Sequence, residues 1–247
     1  MSCCDDMRVQ SYTKSPIFAM QSVHRMKKKI EIQAPMGETT VLLHTCCAPC
    51  SSAIIEALLQ NGITPVIYYC NPNIYPRQEY EIRKNECTRY AQSLGLEIVD
   101  DDYDHESWLQ EMAGLENEPE RGGRCLKCFK MRLLRTARYA GLRGIKVITT
   151  TLASSRWKSL DQINEAGQWA CYAARQGVEN EIPPENEVIW WNQNWRKGGL
   201  QERRLEIIRQ YDFYNQQYCG CEFSMRGKDL TSTMQVSLME SGMDALE

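Results

Sequence analysis

Residues 41–60, VLLHTCCAPCSSAIIEALLQ, decide how the chain folds. Val41, Leu42 and Leu43 form a short apolar run closed by His44 and Thr45, and from Ser51 onward Ile54, Ile55, Leu58 and Leu59 fall at helical spacing. The segment reads strand, loop, helix, with three cysteines in the loop. Gly62 ends the helix, and TPVIYYC at residues 64–70 has the β-branched and aromatic content of a second buried strand. The alternation continues: a helix after Pro76 that stops at Gly95, a strand over residues 96–99, and a short amphipathic helix carrying Trp108, Leu109, Met112 and Leu115. A loop with Pro119, Gly122 and Gly123 leads to a basic helix, then a strand at 146–151 (KVITTT), a helix at 160–174, a strand at 188–191 and a helix at 200–211. This order predicts an α/β fold: a doubly wound, mostly parallel five-stranded, Rossmann-like sheet with helices on both faces and its ligand site at the carboxyl ends of the strands.

The chain has 247 residues, 43% of them hydrophobic, enough for one sizeable core. Residues 39–226 are expected to form a single catalytic α/β domain that ends in a cysteine-bearing segment. A polar leader at 1–38 and a tail at 227–247 lack sustained patterning and are expected to be flexible. The formal charge of -3 excludes a protein that coats nucleic acid indiscriminately, yet it hides an asymmetry. Residues 97–120 hold ten Asp and Glu with no Lys or Arg, whereas residues 121–143 hold eight Lys and Arg with no acid. No run of roughly 18 apolar residues and no hydrophobic export signal occurs, so the expectation is a cytoplasmic protein with no membrane partner.

Twelve cysteines in a chain without an export signal should stay reduced unless a metal takes them, which makes ligation the leading explanation. Seven of them fall in three clusters: Cys46, Cys47 and Cys50 where the first strand ends, Cys125 and Cys128 opening the basic helix, and Cys219 and Cys221 flanking Gly220. Adjacent cysteines such as Cys46 and Cys47 are expected to point their sulfurs apart and so to serve neighbouring centres. The helix dipole and the flanking Arg124 and Lys127 favour thiolate at Cys125 and Cys128. Four thiolates complete a [4Fe–4S] cluster and leave three for another metal or for redox and substrate roles. Paired zinc sites are the alternative on spacing alone, although seven is an awkward number for closed four-cysteine sites. Cys70, Cys87 and Cys171 lie on apolar faces and read as packed core thiols; Cys3 and Cys4 belong to the leader.

Near the predicted strand ends, Asp104, His44, Asp102, Tyr69 and His105 are candidate proton donors, with Asp104 ranked first. Arg132, Arg135 and Arg138 share part of a helix face. Trp190, Trp191, Trp195, Arg196 and Lys197 interleave aromatics with cations, which single-stranded RNA readers do and buried tryptophan clusters also do. No Gly-rich dinucleotide or ATP loop follows a strand, so an external electron donor such as ferredoxin or flavodoxin is expected.

HTCCAPC from His44, YCNPNIYP from Tyr69, Glu79 with Tyr80, DYD from Asp102, RCLKC from Arg124, Arg132 with Leu133, TTTL from Thr149 and YCGC from Tyr218 together resemble the QueH type of epoxyqueuosine reductase. The resemblance spans roughly residues 41–221 and implies a HUP-like α/β domain. It implies an enzyme that reduces epoxyqueuosine to queuosine at the wobble position of a tRNA anticodon loop, the last step of that pathway, with a [4Fe–4S] cluster, an adjacent iron and no cobalamin. Carried over residue by residue, Cys46, Cys47, Cys125, Cys128, Cys219 and Cys221 would be metal ligands, and Cys50 would fit the second iron. After TTTL, where Ser-Pro is expected, this chain has Ser154, Ser155, Arg156, Trp157 and Lys158, a local departure in a loop that could touch RNA. Two further functions remain open on sequence: a zinc-stabilised tRNA-binding module, and an iron–sulfur-dependent tRNA thiolation enzyme, for which the ATP-pyrophosphate loop is missing.

Overall fold

The computed structural model describes residues 30–176, 182–183 and 185–225. Five parallel strands, β1 (Thr40–His44), β2 (Thr64–Tyr69), β3 (Ile98–Asp100), β4 (Val147–Thr150) and β5 (Ile189–Trp190), form one sheet in the order β3-β2-β1-β4-β5. Six α-helices are present among the described residues: α1 (Ala48–Gln60), α2 (Arg77–Ser93), α3 (His105–Glu111), α4 (Gly123–Leu142), α5 (Leu160–Gln176) and α6 (Leu200–Tyr211). α1 packs against α2 and α6, and α4 against α5, so both faces of the sheet are covered. Val41, Leu42 and Leu43 are accordingly buried on both sides, as a central parallel strand must be. The fold is the doubly wound α/β architecture that the alternation predicts.

The strand order reverses between β1 and β4, which pair in parallel with Leu43 opposite Thr149 and His44 opposite Thr150. An open sheet of this kind forms its crevice beyond the carboxyl ends of the two strands at that point. Cys46 lies just past β1 and Thr151 just past β4, joined by a hydrogen bond from the Cys46 amide to Thr151 Oγ1 at 3.3 Å.

The packed core begins earlier than the sequence suggests. Ile30 and Ile32 lie against the hydrophobic core and Ala34 is buried. Asn61, just after α1, donates to the Ile30 carbonyl at 2.8 Å and accepts from the Ile32 amide at 3.2 Å. Part of the expected leader is therefore docked; residues 1–29 and 227–247 lie outside the described residues. No described helix is long and apolar enough to cross a membrane.

Trp191 and Trp195 are buried with their rings edge to face at 5.5 Å, and the Trp195 indole donates to Thr149 Oγ1 at 3.3 Å. The interleaved Trp and cation pattern at residues 190–197 is thus a core cluster rather than an RNA platform, because β5 sends these rings against β4 and α5. The charge blocks also meet each other. Arg135 pairs with Asp101 at 2.7 Å, Lys127 with Glu111 at 3.1 Å and Arg143 with Glu97 at 3.1 Å, which ties α4 to the acidic segment.

Candidate metal centre

α1 starts at Ala48, three residues before the apolar periodicity begins, because Pro49 suits the first helical turn, where its missing amide hydrogen costs nothing. Cys47 thereby becomes the extended N-cap residue, and Cys50 falls in the first turn. The bend at Cys46 brings all three sulfurs within 4.8 Å of one another, with Cys46 and Cys47 at 3.8 Å. The adjacent pair converges instead of pointing apart, since Cys46 still belongs to the strand exit while Cys47 already turns into the helix.

The second group is assembled from two distant segments. Cys125 and Cys128 lie on the first turns of α4, and Cys221 packs with Cys128, Trp108 and Met112 in a small cluster separate from the main core. Arg83 of α2 holds the arriving C-terminal segment: its guanidinium donates to the carbonyls of Tyr218 and Cys219, each at 3.3 Å, and is itself paired with Glu79 at 2.7 Å. Gly220 has φ +105°, and a Cβ there would stand 2.8 Å from the Ile74 side chain. Glycine between the two cysteines is required by both the backbone and the space.

Between the groups lies a cavity of about 600 Å³ lined by Cys46, Cys50, Cys125, Cys219 and Cys221; Cys47 Sγ is within 4.8 Å of the Cys46 and Cys50 sulfurs, and Cys128 packs in the same small cluster as Cys221. All three cysteine clusters of the sequence therefore border one space. Cys70, Cys87 and Cys171 are buried core thiols, as read from the sequence.

The sulfurs are surrounded by hydrogen-bond donors. Lys158 Nζ reaches Cys219 Sγ at 3.0 Å, Gln216 Nε2 reaches Cys47 Sγ at 3.0 Å, the Arg121 amide reaches Cys125 Sγ at 3.3 Å and Thr151 Oγ1 reaches Cys46 Sγ at 3.5 Å. The Trp108 indole nitrogen, beside Cys128 and Cys221, is buried with no hydrogen-bond partner among the described residues. Donors aimed at sulfur, with one indole N–H left over, suit thiolate-bound metal, whose sulfurs and outer partners need such groups.

Each group also contains one acidified thiol. Hydrogen bonds from Cys47 and Cys50 pull Cys46 well below the ordinary thiol range. Burial pushes Cys219 up, but the charge and hydrogen bond of Lys158, with the charge of Arg132, outweigh it and leave the thiol lowered. Cys50 is pushed up to about 12, chiefly by its hydrogen bond to Cys46, and burial pushes Cys221 up to about 12. A metal could displace those remaining protons.

The candidate proton donors are arranged differently from the sequence expectation, and none of them lines the cavity. Asp104 caps α3, accepting from the Ser107 amide at 3.0 Å; hydrogen bonding from the Ser107 side chain and then from its amide lowers the pKa, so it is an exposed carboxylate at neutral pH. Asp102 is exposed, with its backbone carbonyl accepting from Arg135. His44 is buried, with Nε2 3.0 Å from the Cys70 carbonyl and Nδ1 2.7 Å from Thr150 Oγ1. A carbonyl only accepts, so Nε2 carries the proton; burial and then Arg132 lower the pKa to about 3 and keep the ring neutral. Tyr69 donates to the Tyr80 carbonyl, and His105 contacts Pro72 and Glu222. Of the five, His44 and Tyr69 are fixed by buried hydrogen bonds at the strand ends, and Asp104 serves the start of α3.

Against known families, residues 41–227 match the family model described as epoxyqueuosine reductase QueH. The chain belongs to that family. Among curated QueH proteins it is 44% identical to that of Haemophilus influenzae over 201 residues, covering 81% of this chain and 77% of that protein. It is 43% identical to the QueH of Histophilus somni, covering 79% and 76%, and 43% identical to that of Acinetobacter baylyi, covering 81% and 87%. The QueH match begins at β1 and ends just beyond Cys221, so it contains every residue of the cavity wall named above.

Sequence reading missed Lys158, Gln216 and Trp108 as parts of the site. Lys158 had a signal, since it lies in the loop after β4, where a crevice must form; Gln216 and Trp108 have none beyond their distance from a cysteine.

Proposed function

We propose that this chain reduces epoxyqueuosine to queuosine at the wobble position of a tRNA anticodon loop, in the cytoplasm, taking electrons from an external donor such as ferredoxin or flavodoxin. The reaction consumes two electrons and two protons, breaks both carbon–oxygen bonds of the epoxide, and releases alkene and water. Cys125, Cys128, Cys219 and Cys221 would hold a [4Fe–4S] cluster, and Cys46, Cys47 and Cys50 a second iron. When bound, these centres would supply single electrons and a Lewis acid for the oxygen.

The chain's own residues handle charge and access. Seven Arg and Lys line the cavity against one carboxylate, Glu120, an arrangement that attracts a polyanion and tolerates thiolate charge. Lys158 holds its proton, because burial is outweighed by the charge and hydrogen bond of Cys219; its ammonium faces the cavity and stabilises negative charge developing there. Arg132, buried, fixes the loop behind the cavity by donating to the Cys70 carbonyl at 3.2 Å and to the Asn71 side chain.

The observation that carries this reading is that cysteines from all three clusters border one cation-lined cavity in a QueH chain, with the sulfurs of Cys46, Cys47 and Cys50 within 4.8 Å of one another. The test is anaerobic purification with iron, sulfide and zinc quantification, paired with mass spectrometry of tRNA nucleosides from a deletion strain. Cys128→Ala should remove sulfide together with most of the iron, whereas Cys50→Ala should lower iron and leave sulfide unchanged. A colourless zinc-only protein, or queuosine unchanged in a strain with no second reductase, refutes the proposal.

A further inference from the structure

The loop that departs from the family resemblance, residues 155–159, holds the most exposed tryptophan among the described residues. Trp157 is 71% exposed and lines the mouth of the cysteine cavity. Trp108, Trp191 and Trp195 are buried, Trp190 is partly covered, and Trp169, the other exposed one, lies under the Lys130 ammonium. No described aromatic ring stacks on Trp157. The indole gains little for the fold, and its place in the cavity lining puts it beside whatever enters.

The backbone of the loop is also held from outside it. Two arginines from outside it hold four consecutive carbonyls: Arg121 donates to Trp157 O at 2.9 Å and Arg156 O at 3.0 Å, and Arg196 donates to Ser155 O at 2.5 Å and Lys158 O at 2.6 Å. Arg121 contacts Cys125 through its own amide, and Lys158 contacts Cys219, so the indole is indexed to the cysteines from both sides. An aromatic presented this way loses little conformational entropy when it binds.

The surrounding charge selects the partner. Arg121, Arg156 and Arg204 line the same cavity and have no carboxylate partner among the described residues. A flat ring in a cavity wall that carries guanidinium groups no described carboxylate neutralises fits unpaired bases joined by phosphates. We infer that Trp157 is a stacking platform for a loop base neighbouring the nucleotide that enters the cavity, with Arg156 neutralising adjacent phosphate. The inference rests on the tRNA reading above and names the residue that seats the loop.

The test uses the metal-loaded full chain and an unmodified RNA hairpin carrying an anticodon loop, with binding followed by anisotropy across salt concentrations. Stacking on one base is worth about 1–3 kcal/mol, so Trp157→Ala should weaken binding roughly 5- to 150-fold, with iron content and melting temperature unchanged. Trp157→Phe should restore most of the loss. Trp157→Ala should leave the salt slope intact, because it removes no charge, whereas Arg156→Ala should reduce it by about 1. Wild-type binding with Trp157→Ala within about twofold of it overturns the inference and leaves the reductase reading standing. So does a variant whose RNA affinity is kept but whose reduction by an acidic donor protein slows, which would assign the surface to the donor. Failure of the wild type to bind the hairpin overturns both.

Discussion

Removing the Glu56 carboxylate should destabilise the protein more than any surface substitution. Glu56 and Arg203 are both buried, with side chains 3% and 9% exposed, and meet through two contacts: Nε to Oε2 at 2.7 Å and Nη2 to Oε1 at 2.8 Å. The pair clamps α6 to α1, the helix that carries Cys50. Loss of one partner from a buried pair costs about 3–5 kcal/mol, because the survivor's charge stays desolvated. Arg203 would keep Glu206 at 2.8 Å, but that carboxylate is half exposed and solvent-screened, so Glu56→Ala should fall near the lower limit, about 3 kcal/mol. The double replacement Glu56→Leu with Arg203→Met removes both charges and should lie within about 1 kcal/mol of wild type. Urea denaturation of anaerobically prepared protein measures both, with iron content as a second readout for the triad. A cost under about 1 kcal/mol for Glu56→Ala, or a double variant as unstable as the single, refutes the reasoning.

Gly220→Ala should lower iron and sulfide content while far-UV circular dichroism stays near wild type, since the positive φ and the Ile74 contact concern only the segment bearing Cys219 and Cys221. Gly167→Ala, in the middle of α5, should cost about 1–3 kcal/mol in thermal or urea melts despite better helix propensity, because the new methyl would stand 2.2 Å from the Trp190 ring. Asp104→Ala should cost about 0.5–2 kcal/mol by loss of the α3 cap and leave the single-turnover rate unchanged; a large rate loss at unchanged stability would return Asp104 to the role of acid. The folded-state pKa of Asp104 is lowered, so its stabilisation is present above the unfolded carboxyl value of about 4 and is lost as pH falls through the lower folded value. Melting temperatures of wild type and variant should therefore converge in acid.

The architecture was legible because each β-strand is an apolar or β-branched run and each helix an apolar stripe, and both are local patterns. Thr64–Tyr69 and Val147–Thr150 could be placed from composition alone. The start of α1 was not, because Ala48 to Cys50 carry no apolar stripe and the signal lay in how Pro49 fits a first helical turn. The convergence of the three cysteine clusters on one cavity was legible from their type and clustering; how the C-terminal pair reaches it was not, since that depends on Arg83 of α2 holding the carbonyls of Tyr218 and Cys219. The candidate proton donors lie outside the cavity wall for one reason. Position at a strand end brings a side chain near the crevice, but His44, Tyr69 and Asp104 each have a nearer backbone or hydroxyl group to satisfy.

Net charge was the least informative number in the sequence, and the geometry explains why. The acidic segment and the basic helix are adjacent in the chain and adjacent in space, so Arg135, Lys127 and Arg143 are consumed by Asp101, Glu111 and Glu97. Arg124 is buried and spends its guanidinium on the carbonyls of Leu115, Glu116 and Glu118, closing the acidic loop over the start of α4. What the basic block contributes to the cavity lining is therefore Arg121, Arg132 and the carbonyl-bound Arg124; the rest comes from Arg83, Arg156, Lys158 and Arg204 on other elements. Local neutralisation removes most of the helix charge from the solvent-facing field and leaves a positive concavity on an acidic protein. Such a surface draws a polyanion to one place rather than everywhere, which is what an enzyme acting on a single base of a large RNA requires.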